Sequence, residues 1–94
     1  MTIPNQIPLP EAVELVNRFR SGSAIQGVMF PAAAIQAILA QPGCTGVRCY
    51  FARKVTGEPN LVLVGVDAQG DDMKAGVLLD DGLLCPPHCG KSPL

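Results

Sequence analysis

Tryptophan is absent from this 94-residue chain, and one Tyr and three Phe are its only other aromatic rings. So few rings give no stacking platform for bases, and the seven cations (Arg18, Arg20, Arg48, Arg53, Lys54, Lys74 and Lys91) lie scattered along the chain. No basic run exists to track a phosphate backbone, which argues against nucleic-acid binding. Charge is scarce altogether, at 16% of residues and a formal net charge of −1. The five Asp between positions 67 and 81 are too dispersed to make an acidic tail. Long hydrophobic runs are also missing. The most apolar window, from Ala24 to Ala40, is interrupted by Gln26, Gly27, Pro31 and Gln36. It falls short of the ~20 apolar residues that a membrane span needs. No cation precedes Arg18, and Pro4, Pro8 and Pro10 punctuate the start, so no basic leader segment is expected. These absences predict a cytoplasmic protein with no membrane and no nucleic-acid partner.

Apolar side chains, by contrast, are plentiful. Hydrophobic residues make up 48% of the chain, mostly aliphatic. That is enough for one small domain over 1–94, although a chain of this length buries only somewhat more than ~60% of its unfolded surface. Residues 1–9 are expected to be extended. Leu9-Pro10-Glu11 opens a helix, with Pro10 in the first turn and Glu11 favourable towards the helix dipole. Ala12, Leu15, Val16 and Phe19 then recur on one face, opposite Glu11, Glu14 and Arg18, and Gly22 is expected to close the helix. Ile25 to Phe30 is a short strand or a lead-in. Pro31 opens a second helix that Pro42-Gly43 ends, with Ile35, Ile38 and Leu39 on its buried side.

Strand signals follow. Val47 to Val55 alternates, which predicts a core face of Val47, Cys49 and Phe51 and a solvent face that includes Arg48, Tyr50 and Arg53. Residues Thr56 to Asn60 form a turn cluster, and Leu61 to Val66 is unbroken aliphatic, as in a strand covered on both faces. The two runs form a hairpin with a loop of about five residues. Lys74 to Leu79 supplies a third strand, and Asp80-Asp81-Gly82 turns the chain into its tail, residues 83–94. The expected class is α+β: two helices packed on a small, mainly antiparallel sheet with a Cys/Pro-rich C-terminal tail.

Chemistry concentrates in that tail, Cys85-Pro86-Pro87-His88-Cys89, together with Cys44 and Cys49. A structural zinc site takes four Cys or His ligands from two closely spaced pairs. Neither Cys44-x4-Cys49 nor Cys85-x3-Cys89 has the tight two-residue spacing. Cys49 shares a predicted face with Val47 and Phe51 and so is expected to be a small buried hydrophobe. The candidate metal ligands are therefore Cys44, Cys85, Cys89 and His88, with Zn2+ as the only cofactor considered. A disulfide between Cys85 and Cys89 requires a turn at Pro87-His88, which a cis proline would help, and α-carbons within ~7 Å. Its spacing differs from that of thioredoxin-like redox enzymes. The third alternative is thiols packed and unreactive under a stiffened tail. No acid–base pair points to catalysis, and His88 has no visible partner. The run Asp67 to Asp72 lacks the alternating oxygen ligands and closing glutamate of a calcium loop, so it is expected to be a solvated turn. Arg48 is expected to face solvent from its strand instead of contacting an anion.

The residues Ile38 to Arg48, Leu61 to Gly70 and Cys85 to Cys89 together resemble a group of small uncharacterised bacterial proteins. Those proteins share a Cys-Gly-x-Arg stretch, a Val-Gly-Val-Asp strand end and a Cys-Pro-Pro-x-Cys tail. The resemblance covers roughly the last two thirds of the chain and falls on Cys44, Gly46, Arg48, Cys85 and Cys89, with Thr45 inserted between the first two. It implies that these positions matter and carries no activity with it. Two functions are expected on these grounds. The first is a small non-enzymatic protein acting by protein interaction or self-association as a homo-oligomer. The alternative is a zinc-binding protein, with thiol/disulfide redox activity as a third.

Overall fold

Pro8, the last of the early prolines before Pro10, accepts the first helical hydrogen bond from Ala12 N–H at 3.2 Å, and helix α1 runs Leu9–Arg20. In this computed structural model residues 3–20, 24–91 and 94 are described. The elements continue with strand β1 (Gly27–Met29), helix α2 (Ala32–Leu39), strands β2 (Gly46–Arg53) and β3 (Pro59–Val66), and the short strands β4 (Leu78–Leu79) and β5 (Leu83–Cys85). The fold is α+β, with two helices and two small antiparallel sheets. One sheet joins β1 to β5 and the other has the order β2-β3-β4. The expectation of a single sheet is thus refined: the start of the tail, Leu83 to Cys85, is itself a strand. The chain forms two compact units, residues 28–83 and residues 1–27 with 84–94.

In the unit of residues 28–83, Pro31 is the N-cap of α2, extended at φ −60° and ψ 148°. Its fixed φ and missing N–H cost nothing there, because the first helical N–H groups have no intrahelical partner. The helix buries Ile38 completely, and Leu63 and Val64 of β3 are each 3% exposed. Strand β3 is central in its sheet, and its unbroken aliphatic run is buried or half-buried from Asn60 to Val66. β2 and β3 pair in the register Gly46↔Val66 through Arg53↔Pro59, leaving residues 54–58 as a five-residue loop. Pro59 and Asn60, expected in the turn, belong to the strand.

Two amides lock the loops to this sheet. The Gln41 side chain donates to Ile38 O at 2.9 Å and accepts from Val77 N–H at 2.8 Å, tying the end of α2 to the approach to β4. Asn60, 7% exposed, accepts from Leu61 N–H at 2.8 Å and exchanges two 3.1 Å hydrogen bonds with the Gly82 peptide. Gly65 leaves room for the segment that follows α2. A Cβ there would lie 2.9 Å from Gln41 Nε2 and 3.2 Å from Cys44 Sγ.

In the other unit, residues 3–8 contain a turn, with Asn5 at φ 63° and Gln6 N–H bonded to Ile3 O at 3.4 Å. Ala12, Val13, Val16 and Arg20 are the half-buried residues of α1. Leu15 and Phe19, expected on the buried face, are 47% and 58% exposed. The covered stripe is therefore rotated towards Val13, and helical spacing alone does not fix which edge of an apolar stripe is covered. Gly22, expected to close this helix, lies outside the described residues.

Candidate functional site

The chemistry-bearing residues fall into two places, one in each unit. In the tail, β5 delivers Cys85, whose carbonyl accepts from Gln26 N–H at 2.7 Å. The chain then turns back, with both proline peptides, Cys85-Pro86 and Pro86-Pro87, cis. His88 N–H donates to Leu84 O at 2.8 Å and closes the turn. Cys85 and Cys89 are joined by a disulfide with their α-carbons 4.7 Å apart. That separation lies within the ordinary range for a bridged pair. Both cysteines are half-buried, and His88 is exposed.

Cys44 and Cys49 are free thiols. Cys44 is half-buried and its Sγ lies 3.2 Å from Gly46 O, capping the start of β2. Cys49, expected to be buried, is exposed. Of the four candidate ligands, the structure thus joins Cys85 to Cys89 and leaves Cys44 within residues 28–83. Among the described residues no three His, Cys, Asp or Glu side chains gather in a metal-ligating cluster. Zinc takes thiolate ligands, and a disulfide has none to give. A metal at Cys85 and Cys89 would require the reduced pair; the bridged pair has only disulfide chemistry to offer.

The second place is the free side of β2. Paired residues of an antiparallel ladder share a face. Val47, Cys49 and Phe51 therefore lie with Gly65, Leu63 and Leu61, while Arg48, Tyr50 and Ala52 lie with Val64, Val62 and Asn60. Val47, Cys49 and Phe51 share one face as expected, but Arg53, expected opposite them, belongs to that same face, and Phe51 is 93% exposed instead of core. Lys54 N–H bonds to Glu58 O at 2.8 Å, which sets the even-numbered residues of β2 towards β3. The N–H and C=O groups of Val47, Cys49, Phe51 and Arg53 therefore point outwards from the sheet edge. No described strand pairs with them.

On the opposite face, Arg48 does face solvent, as expected, but it is tied down. It donates to Asp72 Oδ1 at 2.6 Å and to Gly70 O at 3.3 Å, and the Tyr50 hydroxyl donates to Asp72 Oδ2 at 2.5 Å. The hydrogen bond from Tyr50, stronger than the opposing effect of burial and joined by the single hydrogen bond and the charge of Arg48, holds the Asp72 carboxyl below its usual value. Its hydrogen bond to Asp72 also raises the Tyr50 phenol. At the hairpin end, Lys54 pairs with Asp81, which raises the lysine. The turn at Asp67 is built by its own carboxylate, which accepts from Gln69 N–H at 2.9 Å and Asp71 N–H at 3.0 Å. Sequence reasoning missed the partners of Arg48 and Tyr50. The only available signal was the shared parity of those two residues on β2.

The fold and these features define a small α+β protein with one short-range disulfide and an open sheet edge. Comparison of the chain with protein-family models, with curated proteins and with solved structures returns no match. Among the described residues no helix is long and apolar enough to cross a membrane.

Proposed function

We propose that this chain is a non-enzymatic interaction protein that self-associates by pairing the β2 edges of two copies. The observation that carries this reading is the eight-residue edge strand itself. Its outward backbone groups are unpaired among the described residues, and Phe51, 93% exposed, stands among them. Natural sheet edges are commonly blunted by proline, inward charge or a very short strand. β2 contains no proline and its outer apolar face carries no charge from Val47 to Phe51.

Charge selects the register. Two antiparallel copies centred on Tyr50 put Arg48 opposite Ala52, Arg53 opposite Val47 and Lys54 opposite Gly46 of the second copy, with Phe51 beside Cys49. All four outward residues of each strand then find partners. Centring on Phe51 would set Arg48 against Lys54, a like-charge pair that opposes association. Centring on Cys49 would leave Arg53 beyond the end of the second strand. A two-fold pairing of this kind is closed, so it gives a dimer and not a fibre. The cytoplasmic placement expected from the sequence is part of this proposal.

Sedimentation equilibrium and native mass spectrometry of the parent and of Phe51→Lys test it. The expected result is a concentration-dependent dimer that the substitution converts to monomer while circular dichroism is unchanged. A parent that stays monomeric at every accessible concentration would overturn the reading.

A further inference from the structure

The Cys85–Cys89 disulfide forms part of the wall of an open cleft of about 240 Å³, lined by Val16, Gln26, Gly27, Cys85, Cys89 and Leu94. Every one of these residues belongs to the unit of residues 1–27 and 84–94. Its lining is mostly apolar, the Gln26 amide is its polar side chain, and among the described residues no Lys, Arg, Asp or Glu lines it. A Cβ at Gly27 would meet nothing within 4 Å, so the cleft has unfilled space beside the bridge. The bridge closes a loop with a sequence separation of 4. Cross-links over short loops constrain the unfolded chain least, so this one contributes less to stability than a long-range bridge would. A short-range disulfide, half-buried in a cleft wall instead of sealed in a core, is placed for exchange.

We propose that the Cys85–Cys89 disulfide is a thiol-exchange site, and that the adjacent cleft takes a low-molecular-weight, uncharged thiol as its reducing partner. The thiolate of the incoming molecule attacks one sulfur of the bridge. The Cys85–Cys89 bond breaks, a mixed disulfide forms, and the other cysteine leaves as a thiolate and takes a proton from water. A second thiolate attacks the ligand sulfur of the mixed disulfide, releasing the ligand disulfide and the remaining cysteine, which is protonated in turn. Two thiols are oxidised to one disulfide, and the protein disulfide is reduced to two thiols. The cleft lies below the volume range of drug-sized pockets, which suits a small molecule. The absence of charged side chains among its described lining residues favours a neutral, amide-bearing body that the Gln26 side chain can hydrogen-bond. This inference is independent of the β2 edge and stands or falls apart from it.

The test uses the full chain with Cys44→Ser and Cys49→Ser, so that only the bridge reacts. Its reduction is followed by alkylation and mass with three thiols: 2-mercaptoethanol, N-acetylcysteine amide and mercaptoacetate. Each rate is divided by that of the same thiol with the oxidised peptide Cys-Pro-Pro-His-Cys, which removes intrinsic thiol reactivity. The expected result is saturation with N-acetylcysteine amide and a normalised rate at least about tenfold above that of anionic mercaptoacetate. Gly27→Leu, which fills the space beside the bridge, should remove that preference with circular dichroism unchanged, and Val16→Trp serves if Gly27→Leu does not fold. Equal normalised rates for all three thiols, linear in concentration, would overturn the proposed partner. A bridge that resists every thiol until the chain is unfolded in urea would overturn the exchange site itself.

Discussion

Asn60 holds the Gly82 peptide from both sides, its Nδ2 donating to Gly82 O and its Oδ1 accepting from Gly82 N–H, each at 3.1 Å. The side chain thus acts as an extra strand residue, supplying backbone-like hydrogen bonds just beyond the paired part of β4. Gly82 has no room for a Cβ of its own, because Val28 and Phe30 press against it. The third bond, from Leu61 N–H, fixes the amide orientation.

Replacing Asn60 by Leu keeps the branched shape and removes all three hydrogen bonds. Each buried backbone group left unpaired costs ~1–3 kcal/mol, so a loss of about 3 kcal/mol is expected. Urea denaturation of the parent and Asn60→Leu measures it. A loss under about 0.5 kcal/mol would mean that water replaces the amide without cost. Asn60→Asp should also destabilise, because a carboxylate cannot donate to Gly82 O.

Two glycines in adjacent ladder pairs, Gly65 of β3 and Gly46 of β2, predict opposite responses to a single methyl group. At Gly65 a Cβ would press on Gln41 Nε2, and that side chain is already committed to Ile38 and Val77. Gly65→Ala should therefore cost about 1–3 kcal/mol, as overpacking does. A Cβ at Gly46 would meet nothing within 4 Å. Gly46→Ala should be neutral or stabilising by up to about 1 kcal/mol through the unfolded chain. Equal effects at the two positions would contradict the close packing of Gln41 over Gly65.

Much of this arrangement is legible in the residues. The prolines at 10 and 31 and the aliphatic run Leu61 to Val66 rest on local chemistry and stand where expected; the five-residue hairpin loop has the expected length but lies two residues earlier, at 54–58. The closure of Cys85 onto Cys89 was among the alternatives that the tail's spacing left open. What was not legible depends on tertiary contact. Asn60 reads as a turn residue because its side chain competes for backbone hydrogen bonds, and here that same capacity serves a strand. Alternation correctly grouped Cys49 with Phe51, but parity says nothing about what covers a face, and both are exposed. β5 escaped notice because three residues give no period to detect.

Asp72 makes folding sensitive to acid. Its carboxyl is held below the ordinary value of 3.8 by the Tyr50 hydrogen bond and then by Arg48, so the folded chain binds this proton more weakly than the unfolded chain does. That contribution to stability is complete above about pH 4 and is lost as pH falls through the folded value. For Tyr50, raised above 10.0 chiefly by its hydrogen bond to Asp72, the sign reverses: its contribution is complete below that value and is lost as pH rises through the folded one. Urea midpoints between about pH 7 and pH 2 should fall more steeply below pH 4 for the parent than for Asp72→Asn. Parallel curves would show that the three side chains are not coupled in solution. The group is on the surface, with Arg48 and Asp72 side chains 43% and 28% exposed, so added salt should weaken the difference.

The β2 edge gives a contrast between neighbouring positions. Proline at 49 removes an N–H that points outwards, whereas proline at 50 removes one that bonds to β3. Cys49→Pro should leave a folded monomer, and Tyr50→Pro should unfold the hairpin, as circular dichroism and sedimentation would report. If the pairing is centred on Tyr50, that residue faces its own copy in a non-hydrogen-bonded position, with α-carbons ~4.5 Å apart. Tyr50→Cys in a Cys49→Ser background should then oxidise to a covalent dimer on a non-reducing gel. A monomer there, with the dimer persisting by sedimentation, would exclude this register.

Breaking the tail disulfide should weaken the fold without unfolding it. The chain-entropy relation gives ~2 kcal/mol for a loop of about five residues, against ~3 for one of fifteen, and Pro86 and Pro87 already restrict the open loop. The Gln26 to Cys85 and His88 to Leu84 backbone bonds do not need the bridge to form. The double variant Cys85→Ser, Cys89→Ser is therefore expected to fold, with its stability lowered by no more than ~2 kcal/mol in urea. Adding reductant to the parent should lower it by a similar amount, because both treatments remove the same cross-link. Unfolding of the double variant at neutral pH would show that the bridge is a structural staple. It would also remove the main reason for treating the cleft beside the bridge as a place where the disulfide opens and closes.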